Sequence, residues 1–288
     1  MTAKRLKRVS PMTEKEGPTE QLDYAPEPWV LRRCLDSGLV FLENPPDYDA
    51  FVEDFAWEVT SEKTSQARKQ AEPVLYAASS ALKRFRTHTL KRNKVKSLTV
   101  GLVREIARNR PGGEIRLLDI GCGWGGLLAS VLQELDPDVR QRCVPFGIEL
   151  SKELARISTE KFDRLRGGRC INDTALDGIA GFEQDFFDII VMSSFLEHEI
   201  NPLPLLRRCH ARMKQGGVIV IKVPNFASIN RSVRGRKWAG FRWPDHVNYF
   251  TPATLRKMAQ KAGFDIKRMK LSDRFPLSDS MYAVLSKP

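Results

Sequence analysis

The stretch LLDIGCGWGGLL, Leu117–Leu128, constrains this chain more than any other. An apolar run reads as a buried strand ending at Ile120, glycines follow at 121, 123, 125 and 126, and a helix begins almost at once. Glycine is needed where a turn is tight and the backbone must approach a ligand without a Cβ in the way, and the helix N-terminus beyond it offers unpaired N–H groups. Twenty-three residues after Gly126, at the end of the next apolar run, stands Glu149, where a carboxylate can accept both hydroxyls of a ribose. Together these features point to an adenosine-type ligand lying across strand tips.

The text around this loop alternates strand and helix. IRLLDIG, CVPFGIEL, RCIND, FFDIIVMSS and GGVIVIKVPN read as strands, separated by the helical stretches GGLLASVLQEL, SKELARISTEKFDRL and PLPLLRRCHARMK. Short apolar strands between helices predict a parallel sheet covered on both faces. TPATLRKMAQKAGF is then a helix, and MYAVLSKP a last strand returning antiparallel. The expected fold class is α/β, a Rossmann-like doubly wound sheet, mostly parallel with a terminal antiparallel strand, plus a mainly helical N-terminal extension. Residues 1–24 are polar and proline-broken and read as a disordered basic tail. Residues 25–110 read as a hairpin around Asp36-Ser37-Gly38 followed by helices, and 111–288 as the ligand-binding domain. Within it, residues 226–251 are too long for a simple connection and read as a substrate loop.

The chain carries 47 Lys and Arg against 35 Asp and Glu, a formal charge of +12, which suggests an anionic partner such as a phosphate-bearing small molecule, nucleic acid or an acidic membrane surface. Ten Lys and Arg against the single acid Glu105 lie between Lys83 and Arg110. The 5 cysteines are scattered without a C-x-x-C pair, so neither a disulfide framework nor a metal site is expected, and a reducing cytoplasm is the simplest setting. The N-terminus has no apolar core of a secretion signal, and no apolar run approaches the roughly 20 residues that span a bilayer.

Gly121, Gly123 and Gly126 also satisfy the dinucleotide pattern G-x-G-x-x-G, so a dehydrogenase is an alternative at this point. Asp119, beside the loop, would repel a pyrophosphate and welcome the cationic part of S-adenosylmethionine. With LLDIGCGWGG, GIEL, FDIIVMSSFLEH and MKQGGVIVIKVPN in that order, the chain resembles the class I S-adenosylmethionine-dependent methyltransferases over roughly residues 100–288. FLEH, GGVIVIKVPN and DHVNYFTPATLRKMAQKAGF are similar to the small-molecule branch that includes the ubiquinone-biosynthesis O-methyltransferases and enzymes tailoring sugars, antibiotics and cell-surface glycans. RRCLDSGLVFLENPP resembles a segment that carries a cysteine pair in some of those enzymes; here Cys34 stands with Ser37 in place of the second cysteine.

The resemblance implies S-adenosylmethionine as the cofactor. It implies Asp119, Gly121 and Gly123 beside the methionine moiety, Glu149 on the ribose and Leu150 against the adenine. It further implies Asp173 and Thr174 at the adenine amino group and Ser193 near the sulfonium. Asn172 departs from the glycine usual before the adenine-site acid.

Methyl transfer is an in-line displacement in which the enzyme chiefly positions the nucleophile, and a hydroxyl nucleophile benefits from a base. Four histidines are available. His88 reads as a surface residue and His210 as lying behind the sheet. His198, just after the fourth strand, and His246, in the substrate loop, are the catalytic candidates, each of which could instead be a structural imidazole bonded to backbone. Trp243 and Tyr249 frame His246, and Arg231, Arg234, Arg236, Lys237 and Arg242 bring five cations within twelve residues. Guanidinium groups suit bidentate anion recognition, so Arg234 and Arg242 are substrate candidates for an anionic acceptor of sugar, lipid-linked or quinone type. An RNA or protein methyltransferase using the basic helix, and a catalytically silent cofactor-binding scaffold, are the alternatives.

Overall fold

The computed structural model describes residues 6–46 and 93–288. The helices expected over 47–92, and His88 with them, lie outside the described residues. Among the described residues eleven strands form two sheets. In the larger, β4 (Ile115–Ile120), β5 (Cys143–Glu149), β6 (Cys170–Asn172), β7 (Phe187–Ser193) and β8 (Met213–Pro224) run parallel. β11 (Ser280–Ser286) pairs antiparallel with β8 and with the edge strand β10 (Asp265–Arg268). The order along the sheet is β10-β11-β8-β7-β4-β5-β6. Chain order reverses between β4 and β7, and that reversal opens a crevice above the strand tips, the place where such sheets bind ligands.

Both faces are covered, as continuous apolar strands require. On one side α1 (Lys94–Asn109), α2 (Gly126–Gln133) and α4 (Lys152–Arg166) bury Val103, Leu128, Val131 and Phe162 against Leu117, Ile189 and Val220. The four-residue α3 (Pro137–Arg140) links α2 to β5. On the other side α5 (Ala175–Ala180), α6 (Pro202–Arg212) and α8 (Pro252–Lys261) bury Ile179, Leu206 and Met258 against Leu118, Ile190 and Ile219. A short helix, α7 (Ile229–Arg234), lies in the loop after β8.

The second sheet has the order β1-β2-β3-β9. β1 (Thr19–Leu22), β2 (Leu31–Cys34) and β3 (Val40–Leu42) form an antiparallel meander, and β3 pairs with β9 (Asn248–Tyr249) of the 226–251 loop. Residues 6–24 are thus part of the fold, contrary to the disordered tail their composition suggests. Outside β1 their contacts are single anchors without periodicity: Met12 is buried in the main core. The Arg8 guanidinium donates to the carbonyls of Leu42, Val247 and Ile200 and to Asn248 Oδ1 at 2.6–3.3 Å.

The described part of the basic helix has internal uses for its charge. Lys94 pairs with the buried Asp273 at 2.8 Å, Lys96 with Glu134 at 2.7 Å, and Arg110, just past α1, with the buried Asp188 at 2.8 Å. Among the described residues no helix is long and apolar enough to cross a membrane.

Candidate active site

The glycine loop has the geometry its sequence predicts. Gly121, Gly123 and Gly125 adopt φ of +71°, +55° and +69°, the left-handed region that β-carbons disfavour, and Gly125 caps α2. A Cβ on Gly121 would stand 2.4 Å from Phe195 Cδ2, whereas one on Gly123 would meet nothing within 4 Å. The loop is tied to β5 by Glu149, whose Oε2 accepts from Gly123 N at 2.9 Å and whose Oε1 accepts from Ser151 N at 3.0 Å. Asn172 Nδ2 donates to the carbonyls of Glu149 and Leu150 and so holds the tips of β5 and β6 together. Asp173 is exposed and accepts from Thr174 N at 2.7 Å, while the Thr174 hydroxyl caps α5 through Asp177 N.

Asp119 is 3 % exposed. Burial, and then the Glu149 carboxylate, push its carboxyl up to about 8. A buried acid held in its neutral form beside an open glycine loop fits a cationic ligand, which would favour the carboxylate. The donor N–H groups, the open face of Gly123, Glu149 and Asp119 together suit the adenosyl and methionine parts of S-adenosylmethionine.

A cavity of about 270 Å³ opens nearby, lined by Ser194, Glu197, His198, Arg242, His246 and Asp279 among others. Ser193 ends β7 beside Lys222 of β8, and the next residue, Ser194, bends away with φ +58°. The post-β7 turn then presents Glu197 and His198. The loop ahead of β9 docks on this turn through backbone bonds: Val247 N and Asn248 N donate to Glu197 O at 2.8 and 3.0 Å, and Asn248 Nδ2 donates to the carbonyls of Leu196 and Glu199. His198 Nδ1 meets the Asp245 carbonyl at 2.9 Å and His246 Nδ1 meets the Gly240 carbonyl at 2.7 Å. A carbonyl only accepts, so both Nδ1 atoms carry hydrogen. Burial, and then the neighbouring Arg242, lower His198 to about 4. Glu197, 1 % exposed, is raised to about 8 by burial, against the pull of Lys222 and Arg242.

Of the residues expected from sequence, His198, His246 and Arg242 therefore meet in one cavity wall. Trp243 and Tyr249 pack into an aromatic cluster with Phe226, Trp238 and Phe241, behind the cavity lining. Tyr249 is 1 % exposed and its phenol is pushed upward by burial and by Asp245. Arg234 is on the surface at the end of α7. Arg231 lies over the Phe226 ring and donates to the Tyr24 hydroxyl, Arg236 pairs with Asp23, and Arg242 pairs with Asp245 at 3.4 Å. The five cations of this loop do not converge on one anion.

Asp279, Ser280, Asn248 and Arg8 were not singled out by sequence. Asp279 was findable: an antiparallel last strand sets its first residues beside the end of its neighbour, and Ser280 indeed pairs with Pro224. Arg8 gives no signal, being one cation in an aperiodic segment.

Comparison with known proteins agrees with this fold. A family model described as a methyltransferase domain matches residues 74–268. The ubiquinone biosynthesis O-methyltransferase of Cereibacter sphaeroides is 32 % identical over 170 residues, covering 56 % of this chain and 65 % of that one. The enzyme of the same name from Cupriavidus pinatubonensis is 26 % identical over 171 residues, covering 57 % and 65 %. The chain thus spans about two thirds of the length of these relatives, just under that share at 65 %. Among solved structures, the CurJ carbon methyltransferase aligns with a TM-score of 0.52 at 19 % identity, over 76 % of this chain and 62 % of that one, a likeness of fold. With the family model covering most of the chain and the strand order and glycine loop in agreement, the chain belongs to the class I S-adenosylmethionine-dependent methyltransferases, whose cofactor is S-adenosylmethionine.

Proposed function

We propose that this protein transfers a methyl group from S-adenosylmethionine to a hydroxyl of a small-molecule acceptor held in the cavity beside Glu197, His198 and His246. The observation that carries this reading is the shared edge of two sites. Phe195 reaches over Gly121 of the glycine loop, and its neighbours Ser194, Glu197 and His198 line the cavity. The similarity to O-methyltransferases supports oxygen as the methylated atom.

The cofactor supplies an electrophilic methyl on a sulfonium. The chain supplies position: Asp119 favours the cationic end, Glu149 the ribose, and Leu150, Asp173 and Thr174 the adenine edge. Ser193 closes the pocket at the tip of β7. In the cavity His246 accepts the hydroxyl proton. Its Nδ1–H is fixed on Gly240 O, so Nε2 is the nitrogen that takes the proton. His198, kept neutral by burial, holds the Asp245 carbonyl and so sets the lid over the acceptor. Arg242 faces an anionic or strongly polar group of the acceptor.

The test is methyl transfer from labelled S-adenosylmethionine to a panel of phenols, quinols and phosphorylated or nucleotide-linked sugars. His246→Ala is expected to lose turnover while calorimetric binding of S-adenosylmethionine is kept. Unchanged turnover in that variant, or no binding of S-adenosylmethionine to the wild type, overturns the reading. The RNA and protein alternatives lose support from the described basic helix, whose cations Lys94 and Lys96, and Arg110 just past it, pair internally.

A further inference from the structure

The cavity wall brings one carboxylate and two imidazoles together. Glu197, His198 and His246 each offer one ligand atom, and these atoms lie within 4.8 Å of one another. Both Nδ1 atoms donate to backbone carbonyls, which orients the two rings. A carbonyl on the far nitrogen is the outer contact that orients metal-bound histidines and raises their basicity. Glu197 is 1 % exposed, and its Oε2 has no hydrogen-bond partner in the fold. Such an oxygen is costly to bury unless something binds it. The three side chains sit on backbone that is itself clamped, by Val247 N and Asn248 N on Glu197 O.

We propose that Glu197, His198 and His246 bind one divalent cation of the borderline class, zinc or a neighbouring first-row metal, in the wall of the acceptor cavity. Two imidazole nitrogens with one carboxylate favour such ions over magnesium and calcium, which prefer all-oxygen sites. Three protein ligands leave a coordination position open, and the cavity of about 270 Å³ leaves room for an acceptor oxygen to take it. The charges around the site admit a cation: Glu197, Asp245 and Asp279 face Arg242, which is paired with Asp245, and Lys222. The scattered cysteines predict no thiolate site; these donors are nitrogen and oxygen, two from the adjacent Glu197 and His198 and one from His246, 48 residues beyond His198.

The cation's part in the reaction rests on the methyl-transfer reading above, whereas its binding does not. An acceptor hydroxyl coordinated through oxygen gives its proton to solvent and attacks the methyl carbon. The C–O bond forms, the C–S bond breaks, and sulfur keeps the electron pair. His246 then acts as a ligand, and its role as proton acceptor passes to water.

The experiment uses the full chain, stripped with a chelator and desalted, titrated separately with zinc chloride and cobalt chloride in the absence of cofactor and acceptor. One equivalent is expected to bind, with affinity about a hundredfold weaker in Glu197→Gln and in His246→Ala, and unchanged in His210→Ala. Bound cobalt is expected to show ligand-field bands without the thiolate charge-transfer band that Cys122 and Cys170, 3.4 Å apart, would add. Circular dichroism of each variant checks its fold, and His198→Gln serves as a third ligand variant. No saturable binding, binding that survives in the ligand variants, or a thiolate band overturns the proposal. Methyl transfer without metal binding overturns the cation and keeps His246 as the base; metal binding without methyl transfer to any acceptor upholds the cation and overturns the transfer reading.

Discussion

His198 and His246 meet edge to face, their ring centroids 4.7 Å apart at 84°, although 47 residues separate the two carbonyl-bonded partners His198 and Asp245. Each ring is fixed by a carbonyl of the 226–251 loop, so the pair works as one unit. Replacing either imidazole with alanine is expected to lower kcat by roughly 10²–10⁴, and the double variant by no more than the worse single one. Steady-state kinetics of the three variants checks this. Additive losses would show two independent residues.

Gly123→Ala separates ligand from fold. Its φ of +55° costs an alanine about 1–2 kcal/mol, yet the new methyl meets nothing in the protein within 4 Å. Melting is expected to fall by a few degrees while S-adenosylmethionine binds at least tenfold more weakly. Gly121→Ala, which drives into Phe195, is expected to lose far more stability. Equal cofactor affinity in Gly123→Ala and wild type would remove the glycine loop from the cofactor site.

The raised carboxyl of Asp119 has a signed consequence. Folding keeps a proton on Asp119 up to about pH 8, whereas the unfolded chain loses it near pH 4. The folded state therefore binds more protons in that window, and stability without cofactor falls as pH rises from about 4 to 8. Asp119→Asn is expected to flatten part of this slope, Glu197 retaining its own share from a carboxyl raised by the same burial. Cofactor binding at pH 7 is expected to release a proton, read as a binding heat that changes with the ionisation enthalpy of the buffer. Identical heats in all buffers would place the cationic end away from Asp119.

Arg242 and Arg234 make opposite predictions although eight residues apart. Arg242 lines the cavity and Arg234 is on the surface. Arg242→Ala is expected to raise KM for anionic acceptors about tenfold with less effect on neutral ones, and Arg234→Ala to leave both unchanged. Acceptor kinetics on charged and neutral pairs decides it, and a flat response to Arg242→Ala removes the anionic preference.

Arg8→Ala should loosen the acceptor side alone. Four acceptors would lose their donor, costing about 3 kcal/mol, with melting lowered by roughly 6–12 °C. Amide exchange is expected to rise at Val247 and Asn248 before it rises in β4 or β7. Unchanged protection there would show that Arg8 does not hold the loop.

The central sheet was legible because its strands follow from local patterns: apolar runs such as FFDIIVMSS, short and set between helical stretches, suit buried strands, and glycines at 121, 123 and 125 suit a tight turn. His198 and His246 were legible as candidates from their places after β7 and ahead of β9. Their meeting was not, because it depends on Asn248 and Glu197 O docking one loop on another. Trp243 and Tyr249 looked like acceptor contacts because aromatics suit both pockets and cores, and only packing against Phe241 distinguishes these uses. Arg8 and Asp279 act through long-range geometry that no local period encodes.

The pairing of β3 with β9, sealed by Arg8 on Val247 O, joins the two segments that build the acceptor wall while leaving the strand-tip crevice to the larger sheet. The molecule is therefore modular in a particular way. Grafting a relative's 226–251 loop alone would strand an arginine without its carbonyls, and grafting residues 6–46 alone would leave a strand without its edge. Only the two exchanged as a set would transplant acceptor choice onto an unchanged cofactor half.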